Sequence, residues 1–141
     1  MRALKYFSLS LLAACSTMPP SHQLSGSISG KIAYPSETTP DMRICAIQDQ
    51  GTLHACIQAK AGDTDYRIEH LAPADYRIVA QLNEGDMRVG GHTYPVQCIR
   101  APCLAQLRTI SVAAGAAVNG IDVNEFYAAR EDFPALPPEG E

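Results

Sequence analysis

Residues 66–80 decide the fold, and they read Tyr-Arg-Ile-Glu-His-Leu-Ala-Pro-Ala-Asp-Tyr-Arg-Ile-Val-Ala. Apolar side chains alternate with polar ones at Tyr66 and Ile68, and alternate again from Tyr76 to Ile78. Alternation with a period of two is typical of a strand that buries one face. The Leu-Ala-Pro-Ala-Asp sequence between the two runs carries proline and aspartate, which are common turn residues. The stretch therefore predicts two strands joined by a turn.

The same pattern extends over most of the chain. Short alternating runs recur roughly every ten residues, and none has the length and period of a helix. The seven runs are residues 24–34, 42–47, 53–59, 66–68, 76–80, 107–112 and 118–123. They predict an all-β fold, a seven-stranded antiparallel β-sandwich with a long loop between strands five and six.

The N-terminus has the pattern of an export signal. Two basic residues among the first five precede an apolar run at residues 6–12 that is too short to span a bilayer. Leu12-Ala13-Ala14-Cys15 ends this run with small residues before a cysteine. The order resembles the lipobox of bacterial lipoproteins. The resemblance implies a signal peptide at residues 1–14, which is removed, and acylation of Cys15.

The lipobox also implies a location. Acyl chains on Cys15 would attach the protein to a membrane, and several chains together give stable anchoring. Ser16 follows the cysteine where a retention signal would have aspartate. By the sorting pattern of enteric lipoproteins this implies the outer membrane, with the periplasmic or cell-surface face left open. Residues 15–23 would be the lipidated cysteine and a polar tether.

The rest of the chain divides into a domain and a tail. Residues 24–128 carry the β pattern and form the predicted sandwich domain. Residues 129–141 hold three prolines and four acidic residues, which predicts a disordered, acidic, proline-rich tail. Without the signal segment the chain has nine basic and 15 acidic residues, a net charge of −6. That balance argues against nucleic acid as a partner, because nucleic-acid binding needs clustered Lys and Arg.

Four cysteines remain besides the acylated one. An even number in an oxidising compartment predicts two disulfides, for which three pairings are possible. If the second and third predicted strands form a hairpin, Cys45 and Cys56 lie opposite each other on the same face. Cys98 and Cys103 bracket the turn sequence Ile-Arg-Ala-Pro. The sequence therefore favours the pairs Cys45–Cys56 and Cys98–Cys103.

Three segments together carry a family resemblance. They are residues 28–35 in the first strand, residues 66–80 with their leucine–proline turn and second tyrosine, and Ile121-Asp122 with Phe126-Tyr127. In these the chain resembles the carboxypeptidase regulatory-like family of transthyretin-like (prealbumin-like) sandwiches. It departs from many members at Ala74 and Asp75, where they have glycine before the second tyrosine. The resemblance implies a fold and a module, and no particular reaction.

The connection from Asn83 to Gln106 is the strongest candidate for function. It has 24 residues, more than a compact domain usually needs. Long loops on a rigid sandwich often carry binding surfaces, and a disulfide at its tip would reduce the ordering cost of binding. The candidate contact residues are Arg88, His92, Tyr94 and Arg100. The alternative is a loop that only covers a sheet edge.

The sequence predicts no enzyme, metal site or cofactor. The four histidines lack the spacing of metal ligands, and the acidic residues near His70 are typical of a solvated turn. We therefore expect a non-catalytic binding or scaffolding module of the cell envelope, with a possible protein partner at residues 83–106. The alternative is a regulator or inhibitor of a periplasmic or incoming hydrolase, whose active site the loop would block.

Overall fold

A computed structural model describes residues 24–83, 85, 88–95, 99–101 and 103–139. The predicted signal peptide, Cys15 and the tether lie outside the described residues. The described part is all-β, with eight strands and one 3-10 turn. The strands are β1 Gly26–Lys31, β2 Met42–Gln48, β3 His54–Ala59, β4 Asp65–Leu71, β5 Ala74–Leu82, β6 Val89–Gly91, β7 Ile110–Val112 and β8 Ala117–Val118, and the 3-10 turn is Arg130–Asp132.

The strands form two sheets. The smaller sheet has the order β4-β1-β8. The larger, five-stranded sheet has the order β3-β2-β5-β6, and β7 pairs with β5 at residues 74–76. The fold is thus a β-sandwich, and residues 66–80 supply one strand to each sheet, as β4 and β5.

One edge of the smaller sheet differs from the antiparallel prediction. β1 and β8 run parallel, with Ile28 opposite Val118, and a second parallel bridge joins Ile32 to Val123. The connection from β7 to β8 turns at Gly115, whose φ is +70°, and crosses from one sheet to the other. β8 therefore reaches the edge of β1 from the opposite sheet and not through a hairpin, and it runs in the same direction as β1.

The eighth strand, β6, corrects the prediction of seven strands and of an unbroken loop at residues 83–106. A Val-Gly-Gly sequence suggests a turn, but here both glycines are buried between packed elements. An added Cβ would lie 2.5 Å from the Phe126 ring at Gly90, and 2.5 Å from a methyl group of Leu107 at Gly91. The glycines therefore allow β6 to fit beside β5 beneath bulky neighbours.

The main core lies between the two sheets. Its largest fully buried side chains are Tyr76, Phe126, Ile28, Met42, Ile44, Ile68, Leu71 and Ile78. Burial of each such apolar side chain contributes about 1.5–3 kcal/mol. The Tyr34 and Phe126 rings meet edge to face, with centroids 5.0 Å apart. Phe126 thereby joins the segment after β8 to the core and supports the end of β6.

A second apolar cluster lies on the outer face of the five-stranded sheet, the face turned away from the smaller sheet. Val79, Val89 and Phe133 form its buried part, with Leu136 packed against them. Phe133 and Leu136 thus pack against the sheet, within the segment for which the sequence predicts a disordered tail. The prolines and acidic residues predict disorder, whereas Phe133 is only 6% exposed and packs on Val79.

The hairpin of β2 and β3 contains the predicted Cys45–Cys56 disulfide. The two residues are direct partners in the antiparallel register, as the alternation of the two runs predicts. Cys45 is also opposite Val79 on β5, on the outer face, and is fully buried. The disulfide therefore links the two strands on the outer face, with Cys45 buried and Cys56 half-buried.

Candidate functional site

The candidate segment, which is the connection at residues 83–106, is held at its base by backbone hydrogen bonds. Thr93 forms an isolated antiparallel bridge with Leu107. The Tyr94 N–H donates to the Gln106 carbonyl at 3.0 Å, and the Arg108 N–H donates to the His92 carbonyl at 2.9 Å. These backbone bonds hold the two arms of the segment together, so that the described residues beyond them, 99–101 and 103–105, extend from a fixed stem.

His92 lies inside this stem, and only 8% of it is exposed. Its Nδ1–H donates to the Asp122 carbonyl at 2.6 Å, because a carbonyl can only accept. Beside it, the Asn124 side chain accepts from the Thr93 N–H at 3.0 Å and donates to the Thr93 carbonyl at 3.3 Å. His92, which the sequence offers as a contact residue, is thus buried and supports the stem from within.

Three apolar side chains of the segment face solvent. Tyr94 is 52% exposed, Leu104 is 67% exposed and Ile99 is fully exposed. They make up half of the large apolar side chains that are exposed in the described part of the chain; the others are Leu24, Leu53 and Tyr127. Exposed apolar groups gathered within eleven residues mark a contact surface more often than scattered ones do. We call Tyr94, Ile99, Arg100 and Leu104 the loop surface.

Cations accompany these apolar groups. Arg100 is exposed on the loop surface itself. The Arg108 guanidinium lies 5.0 Å from the centre of the Tyr94 ring, a cation–π contact that orients the ring. Arg88 is exposed at the other end of β6, in a cleft of about 470 Å³ that it lines with residues 126–130. Arg88 thus lies beside Tyr127 and Arg130 in this cleft.

The structure describes one cysteine of the predicted Cys98–Cys103 disulfide. Cys103 is disulfide-bonded. Cys98, the partner that the sequence favours, lies outside the described residues. A disulfide at Cys103 limits the conformations of the exposed residues on either side of it, which reduces the ordering cost of a contact.

The sequence does not single out Ile99 and Leu104 of the loop surface, because they lie between turn residues and belong to no alternating run. Nor does it single out Arg108, which contacts Tyr94 of the loop surface and falls within the predicted strand at residues 107–112. Apolar side chains within a proline-bearing loop were the available signal, since a solvated loop does not need them.

Two further properties bear on the class of protein. Within the described ranges, no helix is long and apolar enough to cross a membrane. The same part of the chain brings no three His, Cys, Asp or Glu side chains together in a group that could hold a metal ion.

No protein-family model, no curated protein and no solved structure matches the chain.

Proposed function

We propose that the protein is a lipoprotein of the outer membrane, anchored by acyl chains on Cys15, whose sandwich is a non-catalytic binding or scaffolding module. The domain would be a transthyretin-like member of the carboxypeptidase regulatory-like class. The loop surface would contact a protein partner in the cell envelope. The single observation that carries the binding role is the joint exposure of Tyr94, Ile99, Arg100 and Leu104, within eleven residues of sequence beyond a fixed stem.

The chemistry of this surface fits a protein partner. Aromatic, aliphatic and arginine side chains are the types that contribute most to protein interfaces. Exposing Ile99 completely has a cost in water, and a partner that buries it would recover this cost. The stem and the Cys103 disulfide limit the flexibility that binding must remove.

Site-specific photo-crosslinking in cells tests the contact. A photoreactive residue replaces Ile99 or Leu104 in the full-length protein, and a matched control replaces Leu53, which is 47% exposed on the β2–β3 turn. We expect the same discrete adduct from positions 99 and 104, and its loss when Tyr94→Ser and Arg100→Ser are added. Equal adducts from position 53, or none from the loop surface, would contradict the proposal.

The anchor needs its own experiment. Metabolic labelling with a fatty acid should mark the wild-type chain and not the Cys15→Ser variant, and only the wild type should enter the outer-membrane fraction. A Ser16→Asp variant serves as the sorting control. Label that persists on Cys15→Ser would rule out this anchor while leaving the loop surface untouched.

A further inference from the structure

The outer face of the five-stranded sheet carries an arginine in an unusual setting. Arg43 lies on β2, opposite Gln58 of β3 and Gln81 of β5. Its Nη1 donates to the Pro137 carbonyl at 2.5 Å, and its Nη2 donates to the Pro138 carbonyl at 3.3 Å. One half-buried guanidinium thus binds two consecutive carbonyls of the C-terminal segment.

The bound segment has a matching chemistry. Pro137 and Pro138 have no backbone N–H, so their backbone can only accept hydrogen bonds, and Arg43 can only donate. A residue before proline is also biased towards an extended conformation. A proline pair therefore presents its carbonyls in a conformation that needs little ordering, as in other proline-rich ligands.

Polar and apolar contacts continue on both sides of the proline pair. Leu136 packs on the cluster of Val79, Val89 and Phe133. On the other side, Gln58 Nε2 donates to a Glu139 carboxylate oxygen at 3.3 Å. We call Arg43, Gln58 and this apolar cluster the tail site. It contacts an apolar residue, two carbonyls and an acid in order, which is the sequence Leu-Pro-Pro-Glu.

The tail site extends beyond the segment that occupies it. Clefts of about 330 and 460 Å³ lie on either side of Arg43 and Glu139, lined chiefly by β3 and by the end of β5. Glu139 and Pro138 are exposed, and the Gln58–Glu139 bond is on the surface. The final residues are therefore held mainly by Arg43, which favours exchange with a competing segment.

We propose that this face is a second binding site, separate from the loop surface, for an extended peptide segment of a partner protein with two consecutive prolines followed by an acid. The chain's own residues 136–139 occupy it and act as a built-in competitor. Release of these residues opens the site, so that the tail controls access of the partner segment.

The test uses the peptide Leu-Pro-Pro-Glu-Gly-Glu, which is the sequence of residues 136–141. A chain that ends at Ala135 should keep Phe133 in its cluster and leave Arg43 without the Pro137 and Pro138 carbonyls. In ¹⁵N NMR titrations we expect saturable shifts confined to β2, β3 and the end of β5. Affinity should fall at least about tenfold with Arg43→Ala, as expected for the loss of hydrogen bonds from a charged donor. It should be unchanged with Arg67→Ala, which removes an exposed arginine from the other sheet.

Two further titrations and a measurement of the oligomeric state can overturn the proposal. The Leu-Ala-Ala-Glu-Gly-Glu peptide should bind at least about fivefold more weakly, because the carbonyls are then no longer pre-ordered; equal binding would refute proline recognition. The intact chain should bind the proline peptide more weakly than the shortened chain, and equal binding would place the peptide elsewhere. If the shortened chain does not fold, the full-length Pro137→Ala, Pro138→Ala variant replaces it. Dimerisation of the intact protein with exchanged tails would assign the site to a second copy and overturn the partner assignment.

Discussion

Gly90 and Phe126 are in such close contact that no Cβ fits between them. A Cβ added at position 90 would lie 2.5 Å from the Phe126 ring and 2.6 Å from the Glu125 carbonyl oxygen. Phe126 is fully buried in the main core and cannot move aside without opening a cavity. This contact sets how closely β6, a strand within the candidate segment at residues 83–106, can approach the core.

The Gly90→Ala variant should therefore lose about 1–3 kcal/mol of unfolding free energy through overpacking. Urea denaturation followed by circular dichroism measures the loss. The same substitution in a Phe126→Leu background should cost less, since the ring that it meets has been replaced. An equal cost in both backgrounds would show that the ring is not the obstacle.

Removal of the Cys45–Cys56 disulfide should be costly. The bond joins residues 11 apart in sequence, and closing such a loop is worth about 3 kcal/mol in the chain-entropy account. We expect the Cys45→Ala, Cys56→Ala double variant to lose about 3 kcal/mol of unfolding free energy, seen as a lower urea midpoint. Dithiothreitol should bring the wild type towards the same midpoint, and a double variant as stable as the oxidised wild type would contradict the prediction.

Tyr66 should make the protein sensitive to alkaline pH. Its hydroxyl donates to the Ile121 carbonyl at 2.5 Å. Burial raises the pKa of Tyr66 well above its usual value of 10.0, and the Asp122 carboxylate raises the pKa further. The unfolded chain loses this proton near pH 10 while the folded chain keeps it, so the stabilisation is complete below pH 10 and is lost as pH rises above it.

The unfolding free energy of the wild type should accordingly fall between pH 9 and pH 11 more steeply than that of Tyr66→Phe. At pH 7 the variant should be less stable by about 0.5–1.5 kcal/mol, the typical worth of one hydrogen bond. Parallel slopes for the two proteins in urea titrations across this range would contradict the assignment. Burial also raises the pKa of Tyr76, which remains in both proteins and contributes equally to both slopes.

Substitution of His92 should lower stability, and substitution of Tyr94 should weaken binding. His92→Ala leaves the half-buried Asp122 carbonyl without its donor, which should cost about 1–3 kcal/mol. Tyr94→Ala changes an exposed side chain and should cost less than about 0.5 kcal/mol, while it weakens contact at the loop surface. Thermal unfolding and the crosslinking yield at position 99 together measure the split. A destabilised Tyr94→Ala with a stable His92→Ala would reverse the roles that the structure assigns.

The sequence by itself determined the features that depend on local pattern. Alternation over residues 66–80 placed two strands and the turn between them, and the two runs around residue 50 placed Cys45 opposite Cys56. These features follow because a strand repeats every two residues, and because register within a hairpin is set by the chain between its arms. The lipobox and its Cys15 are equally a reading of local sequence, and they remain a prediction.

Only the tertiary structure decided the features that depend on distant neighbours. Val89-Gly90-Gly91 forms a strand because β5 and Phe126 lie beside it, and His92 is buried because Asp122 offers it a carbonyl. Phe133 attaches the C-terminal segment to the sheet because it packs on Val79 of β5, 54 positions earlier in the chain. In each case the deciding partner is remote in sequence, and burial and hydrogen bonding with it outweigh the turn-like or polar composition of the segment itself.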